Sequence, residues 1–413
     1  MTHREVLGCS TNEDECVLAI GANRLDVEGP GVQHRSLWGH MFQTSILRAS
    51  VSERALARLG TVVQQKYRIV RLLGVGGMAA VYAATHRNGH RVAIKFLLER
   101  FSNDPDICHF FSREACVANQ VGHPGAVPVL DDDVDEEGCA FLIMPLLEGQ
   151  TLRTRWDRAN KRLPIDEASV LMLDVLDVLA SAHGNGIVHR DIKPENLFVT
   201  AKANVCVLDF GIARYDTSRP PRAGDLRTSR LARAGELRAP AELDPQVSTV
   251  RHLFGTPAFM PPEQALGELT AIGPHSDCWA AGATLFTLLS GQFVHRASSG
   301  GGPEAALHAA TRPARSLADT GAETVAKVPE AMIRFIDKSL AYDPRNRWPS
   351  AREMRAGLLQ ALEDCLDEPV AHAIQRIRAE LVAELSPEET LPGDRLRHYA
   401  RLFTAQQMLR KEP

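Results

Sequence analysis

Between Tyr67 and Glu148 the chain runs in short apolar stretches separated by polar turns. Tyr67–Leu73, Ala80–Ala84, Arg91–Lys95 and Ala140–Met144 each have strand length and composition. One helical period interrupts them, over 106–120. Beyond Thr151 the pattern turns helical. In Ser169–Ala182 the positions Val170, Leu173, Leu176, Val178 and Leu179 give a broad apolar face. Cys278–Leu289 is the longest apolar stretch, about three helical turns, and suits a buried core helix. The order is a strand-rich lobe, a short connector and a helix-rich lobe, with a cleft between them fit for a nucleotide.

Other segments depart from this plan. Residues 1–60 read as a disordered extension, although 52–60 could form a short helix capped by Ser52 and stopped by Gly60. Residues 214–247 carry seven arginines among Ala, Gly, Pro and acidic residues without a period, and read as a mobile insertion. The tail 363–413 reads as two helices. Val370, Ile374, Ile377 and Leu381 share one face, and Leu396, Tyr399, Leu402 and Phe403 mark the second.

Composition narrows the options. The 413 residues are 44% hydrophobic, enough for a sizeable core. A formal charge of -4 gives no global reason to expect nucleic acid or an anionic membrane as partner. The eight cysteines include no Cys-x-x-Cys pair, which fits thiols in a reducing compartment. No stretch approaches the roughly 18 apolar residues of a membrane span. The expectation is a soluble, cytoplasmic protein.

The chemistry concentrates in His189-Arg-Asp-Ile-Lys-Pro-Glu-Asn196, followed by Asp209-Phe-Gly211. Asp191, Asn196 and Asp209 suit the handling of a metal-bound triphosphate. The runs 197–199 and 205–208 read as a hairpin that returns Asp209 close to Asn196. Lys193, two residues after Asp191, can neutralise charge on a transferring phosphoryl group. Taken singly, Asp191 also reads as a turn-capping residue.

Gly74-Val-Gly-Gly-Met-Ala-Ala-Val81 lies between two predicted strands, where bare backbone amides can approach phosphates. An ordinary turn has the same composition. The following strand argues against a dinucleotide-binding unit, and the Gly-Lys-Ser/Thr of a P-loop is missing. Lys95 stands on an otherwise apolar strand, where an unpaired ammonium is costly to bury. Glu114, on the predicted helix 106–120, is its candidate counter-ion.

These motifs resemble the protein kinase superfamily, specifically the eukaryotic-like serine/threonine kinases of bacteria. The resemblance covers about 67–362 and extends to His123-Pro124, Gly255-Thr-Pro257, Pro261-Pro-Glu263, Asp277 and Arg347. It implies an α+β, bilobal protein kinase fold. The N-lobe (61–147) would hold an antiparallel sheet and one helix, the C-lobe (148–362) mainly helices.

By this resemblance Asp191 receives the substrate hydroxyl's proton, Asn196 and Asp209 hold magnesium (or manganese in its place), and Lys95 with Glu114 orients the phosphates. Leu73, Gly74, Val75, Gly76, Gly77, Met78, Val81, Ala93, Met144, Pro145, Leu147 and Glu195 complete the ATP site, Met144 matching the gatekeeper. Glu263 with Arg347 matches a buried ion pair, and Asp277 a brace of the catalytic loop. Ala79 in place of the last loop glycine, and Pro261 in place of an alanine, depart from the pattern without removing a reacting group.

Lys193 and Thr256 match the serine/threonine type, which implies protein substrates with Ser or Thr acceptors. Arg190 would receive an activation-loop phosphate, with Ser248 and Thr249 as acceptors and Thr228 and Ser229 behind them. Autophosphorylation there is one use for a homodimer. A nucleotide-sensing scaffold without activity is the rival reading, opposed by the presence of Lys95, Asp191, Asn196 and Asp209. A small-molecule kinase is the other, opposed by the peptide-docking look of Thr256-Pro257 and Pro262-Glu263.

Overall fold

The structure is a computed structural model that describes residues 53–210, 214–215, 257–268, 270–295, 303–321 and 328–385. Several sequence expectations lie outside these residues: 1–52 with Ser52, Gly211, nearly all of the insertion, Thr228, Ser229, Ser248, Thr249, Gly255, Thr256 and the second tail helix. From Arg54 onward the described residues belong to one compact unit.

The first lobe is an antiparallel sheet in the order β1 (Val62–Val63), β2 (Tyr67–Val75), β3 (Ala79–His86), β4 (Arg91–Leu97), β6 (Ala140–Pro145), β5 (Asp131–Val134). Its two faces are both apolar. One packs on helix α2 (Pro105–Gln120), where Phe111, Ala115 and Ala118 join Leu97 and Leu142 in the main core. The other gathers Ile69, Tyr82, Ile94, Phe96, Phe141 and Ile143 into a separate cluster.

The short helix expected near the end of 1–60 covers that second face. Residues 53–57 form a helix, α1, and cover the cluster, with Ala55 only 5% exposed. The Tyr82 hydroxyl donates to the Ala55 carbonyl at 3.0 Å. Arg58 lies 4.4 Å from the Phe96 ring centroid and bonds Asp135 at 2.7 Å. A sheet with apolar side chains on both faces needs a cover on each, and the chain just before β1 supplies the second.

The second lobe is built around two buried helices, α4 (Ile165–Gly184) and α6 (Pro274–Ser290). Pro274 opens α6 where its missing N–H costs nothing, and Gly291 closes it at φ 74°. Around them lie α3 (Leu152–Arg158), α5 (Pro262–Ala265), α7 (Pro303–Thr311), α8 (Glu330–Ser339) and α9 (Ala351–Glu363). The tail helix α10 (Val370–Leu385) buries Ala373 and packs Val370, Ile377 and Leu381 into the same core. Residues 363–385 are therefore packed structure.

Two small sheets carry the loops of interest. β9 (Leu197–Thr200) pairs with β10 (Val205–Val207) as the spacing predicts, and β7 (Gly149–Thr151) pairs with β9. β8 (Ile187–Val188) pairs with β11 (Arg214–Tyr215), so the first two residues of the expected insertion are strand. Among the described residues Cys108, Cys116, Cys139, Cys206, Cys278 and Cys365 are free thiols.

Candidate active site

Strand β4 is buried from Val92 to Leu97, so Lys95 is carried into the interior and is only 7% exposed. Helix α2 brings Glu114, 3% exposed, to meet it. The ammonium donates to Oε1 at 2.7 Å and Oε2 at 2.8 Å, and its remaining proton reaches Asp209. Burial alone would lower the Lys95 pKa, but the carboxylates of Asp209 and Glu114 outweigh it and hold the group charged. Burial also works against ionised Asp209, where Lys95 wins and the pKa falls well below the usual carboxylate range. Burial dominates at Glu114 and raises its pKa despite Lys95, because Asp209 adds a second negative charge.

The segment 189–196 is tied down at both ends. Asp277 on α6 accepts the His189 and Arg190 amides at 2.8 Å each, and His183 Nε2 lies 2.9 Å from its Oδ2. Desolvation would raise the Asp277 pKa, yet these partners hold it low. His189 Nε2 sits 3.0 Å from the Leu208 carbonyl, and its ring packs edge-on to buried Phe210.

Within this frame Asp191 Oδ2 accepts from Lys193 Nζ at 2.7 Å and from Asn196 Nδ2 at 2.9 Å. Burial raises the Asp191 pKa, and Lys193 opposes the rise. The hairpin closes where Leu208 N donates to the Asn196 carbonyl at 2.8 Å, which brings Asp209 beside Asn196. Arg190 and Asp209, neither of them glycine, take φ of 70° and 67°. Such strain persists only where the surroundings over-determine it, as Asp277 and Lys95 do here.

The glycine segment forms the β2–β3 turn, with Gly76 N donating to Ala79 O at 2.8 Å. A Cβ at Gly74 would meet nothing within 4 Å, so no internal contact demands glycine there. Leu73, Val75, Gly77 and Met78 belong to the same strand end and turn, Val81 pairs with Lys95, and Ala93 pairs with Met144. Pro145 ends β6, and Leu147 follows it. Glu195 Oε1 accepts from Arg153 on α3 at 2.9 Å.

Two ammonium groups, Lys95 and Lys193, face the carboxyl groups of Glu114, Asp191 and Asp209. The Asp209 side chain is 45% exposed, so its carboxylate is open to solvent as a hard oxygen donor. With the Asn196 carboxamide this donor set fits a hard divalent cation such as Mg²⁺, which Asn196 and Asp209 could hold.

A family model for the protein kinase domain matches residues 67–357. The chain belongs to the protein kinase family. This kinase is 32% identical over 307 residues to the serine/threonine-protein kinase pkn3 of Myxococcus xanthus, across 73% of this chain and 50% of that protein. It is 30% identical over 345 residues to the serine/threonine-protein kinase PrkC of Bacillus subtilis, across 80% and 47%. The chain thus spans about half the length of the curated relatives it matches. The PknI kinase domain of Mycobacterium tuberculosis shares the fold, with a TM-score of 0.51 at 22% identity over 73% of this chain and 98% of that one.

Three contacts of the kinase site escape sequence reasoning. Gln264 Nε2 donates to the Arg190 carbonyl at 3.0 Å, which ties α5 to the loop of Asp191. Arg100 Nη2 donates to the Gly77 carbonyl at 2.5 Å, and His183 meets Asp277. Gln264 closes the Pro262-Glu-Gln264 run of the family resemblance, and His183 showed as a polar residue in the last turn of an apolar helix, whereas Arg100 belongs to no spaced motif.

Proposed function

We propose that this kinase is an ATP-dependent serine/threonine kinase that transfers the γ-phosphoryl group of Mg-ATP to protein hydroxyls. The observation that carries the reading is the setting of Asp191. Both hydrogen bonds to its carboxylate fall on Oδ2, and among the described residues no hydrogen bond reaches Oδ1. Oδ1 is the atom that orients the acceptor hydroxyl and takes its proton. Lys193, already held at Asp191, faces the charge that develops during transfer. Lys95, braced by Glu114, holds the triphosphate, and the turn from Gly74 to Met78 covers it. The adenine lies against Leu73, Val81 and Ala93, with the backbone of Pro145 and Leu147 at its edge and Met144 behind it. Asn196 and Asp209 would hold magnesium, which would supply charge neutralisation at the phosphates.

We place the catalytic unit at about 53–385, with its lobes meeting near Leu147. None of the described helices is long and apolar enough to cross a membrane, and a cytoplasmic site of action fits the free thiols. Arg190 receives a phosphate placed by autophosphorylation on Ser248 or Thr249, with a homodimer as the arrangement that allows transfer between copies. Peptide mapping after incubation with ATP and magnesium is expected to find phosphate there in the wild type and none in Asp191→Asn.

Radiolabelled ATP offered with the chain alone, with generic protein acceptors and with small hydroxyl compounds tests the reading. Label on protein Ser or Thr is expected. Label confined to small hydroxyl compounds would overturn the substrate class. No transfer despite measured magnesium-ATP binding would favour a nucleotide-sensing scaffold.

A further inference from the structure

Helix α10 lies beyond residues 67–357, the part that matches the family, yet it reaches the hairpin that carries Asn196 and Asp209. Arg378 is the contact. Its Nη1 donates to the Ala203 carbonyl at 3.1 Å and to Asn204 Oδ1 at 2.5 Å, and its Nη2 to Asp174 Oδ1 on α4 at 2.6 Å. The other oxygen of Asp174 accepts from Val205 N at 3.1 Å. One guanidinium and one carboxylate thus clamp the β9–β10 turn against α4 from both sides.

The turn is a place where such a clamp has leverage. Ala203 holds φ 59° without being glycine, a conformation that needs support. From the turn, β9 leads back to Asn196 and β10 on to Asp209, a distance of about 10–13 Å at strand rise. Short strands transmit a shift at one end to the other, since interiors are close-packed. The helix itself is anchored separately. Ile377 and Leu381 are buried, Glu384 accepts from Arg155 at 3.0 Å, and Arg376 donates to Asp166 at 2.8 Å.

We propose that α10 is a positioning element of the catalytic centre, in which Arg378 locks the hairpin turn and so sets the placement of Asn196 and Asp209 relative to each other. The role rests on the phosphoryl-transfer reading above. Arg378 touches neither substrate nor metal, and it acts through the hairpin.

The test compares Arg378→Ala, Arg378→Lys and Arg376→Ala in the full chain. It measures thermal midpoint, kcat, KM for ATP and the magnesium concentration for half-maximal activity. It also measures magnesium-dependent ADP affinity by calorimetry, which needs no turnover. Loss of a residue that orients metal ligands typically costs about 10–100-fold. Arg378→Ala is expected to lower kcat by at least about tenfold, to raise the magnesium requirement and to weaken magnesium-dependent ADP binding. Arg378→Lys, which keeps the charge facing Asp174, recovers part of each. Arg376→Ala, which loosens the helix without touching the turn, stays within about twofold of wild type. The proposal is overturned if Arg378→Ala leaves kcat and the magnesium dependence unchanged, or if Arg376→Ala is equally impaired. Should the wild type transfer no phosphate at all, the phosphoryl-transfer reading fails, and ADP affinity still decides whether Arg378 acts on the metal-binding residues.

Discussion

Replacing Arg347 by methionine is expected to destabilise the protein more than any surface change, and the magnitude follows from the contacts. Arg347 is 3% exposed and donates to Glu263 Oε1 at 2.8 Å, Glu263 Oε2 at 2.9 Å, the Ala341 carbonyl at 2.7 Å and the Tyr342 carbonyl at 2.9 Å. Methionine keeps the apolar volume and removes every one of these donors. Glu263, also 3% exposed, is left with the Ser276 hydroxyl at 2.7 Å and His275 Nε2 at 3.9 Å. Stripping one partner from a buried ion pair costs about 3–5 kcal/mol, because the remaining charge stays desolvated. At about 2–4 °C per kcal/mol the thermal midpoint falls by roughly 6–20 °C. Replacing both residues by apolar ones of similar volume removes the stranded charge, so Glu263→Leu with Arg347→Met is expected to lose less than Arg347→Met alone. The cost also depends on pH. Desolvation works against ionised Glu263, but Arg347 outweighs it and the net pKa is lowered. The pair therefore contributes fully above the unfolded carboxyl value of about 4.3, and its contribution is lost as pH falls through the lower folded value. Urea titrations at neutral and acidic pH measure all of this. A loss below about 1 kcal/mol at neutral pH, or a double variant worse than the single one, would refute the reasoning.

Two further predictions concern the site and its support. Lys193 opposes the rise of the Asp191 pKa, so Lys193→Ala is expected to move the acid limb of kcat/KM to higher pH, and an unmoved limb would show that Asp191 is not the base. A Cβ at Gly149, at φ 139°, would lie 2.1 Å from the Val199 carbonyl, whereas at Gly89, φ 90°, it meets nothing within 4 Å. Gly149→Ala should cost at least about 2 kcal/mol and more than Gly89→Ala, and equal midpoints in urea would contradict the close approach of β7 and β9.

What the sequence revealed and what it hid follow from distance along the chain. Local periodicity was enough for α2, for α4 around its Ser169–Ala182 centre and for the hairpin that returns Asp209 to Asn196, since each depends on neighbours a few residues away. The pairing of Lys95 with Glu114 spans 19 residues and was still legible, because a lone cation on an apolar strand demands a partner. The cover formed by α1 was not. Its need arises only once Tyr82, Phe96 and Phe141 fall on the same outer face, which is a property of the assembled sheet. Likewise the apolar face of α10 was readable, but Arg378 meets Asn204 across 174 residues and looks like any other polar residue of an exposed helix face.

The central claim is phosphoryl transfer with Asp191 as the base, and the rate of transfer from labelled ATP to a protein acceptor tests it most directly. With magnesium present the account predicts phosphoserine or phosphothreonine from the wild type, and a rate lower by about 10²–10⁴-fold for Asp191→Asn at undiminished ATP binding. Equal rates for the two proteins would contradict it.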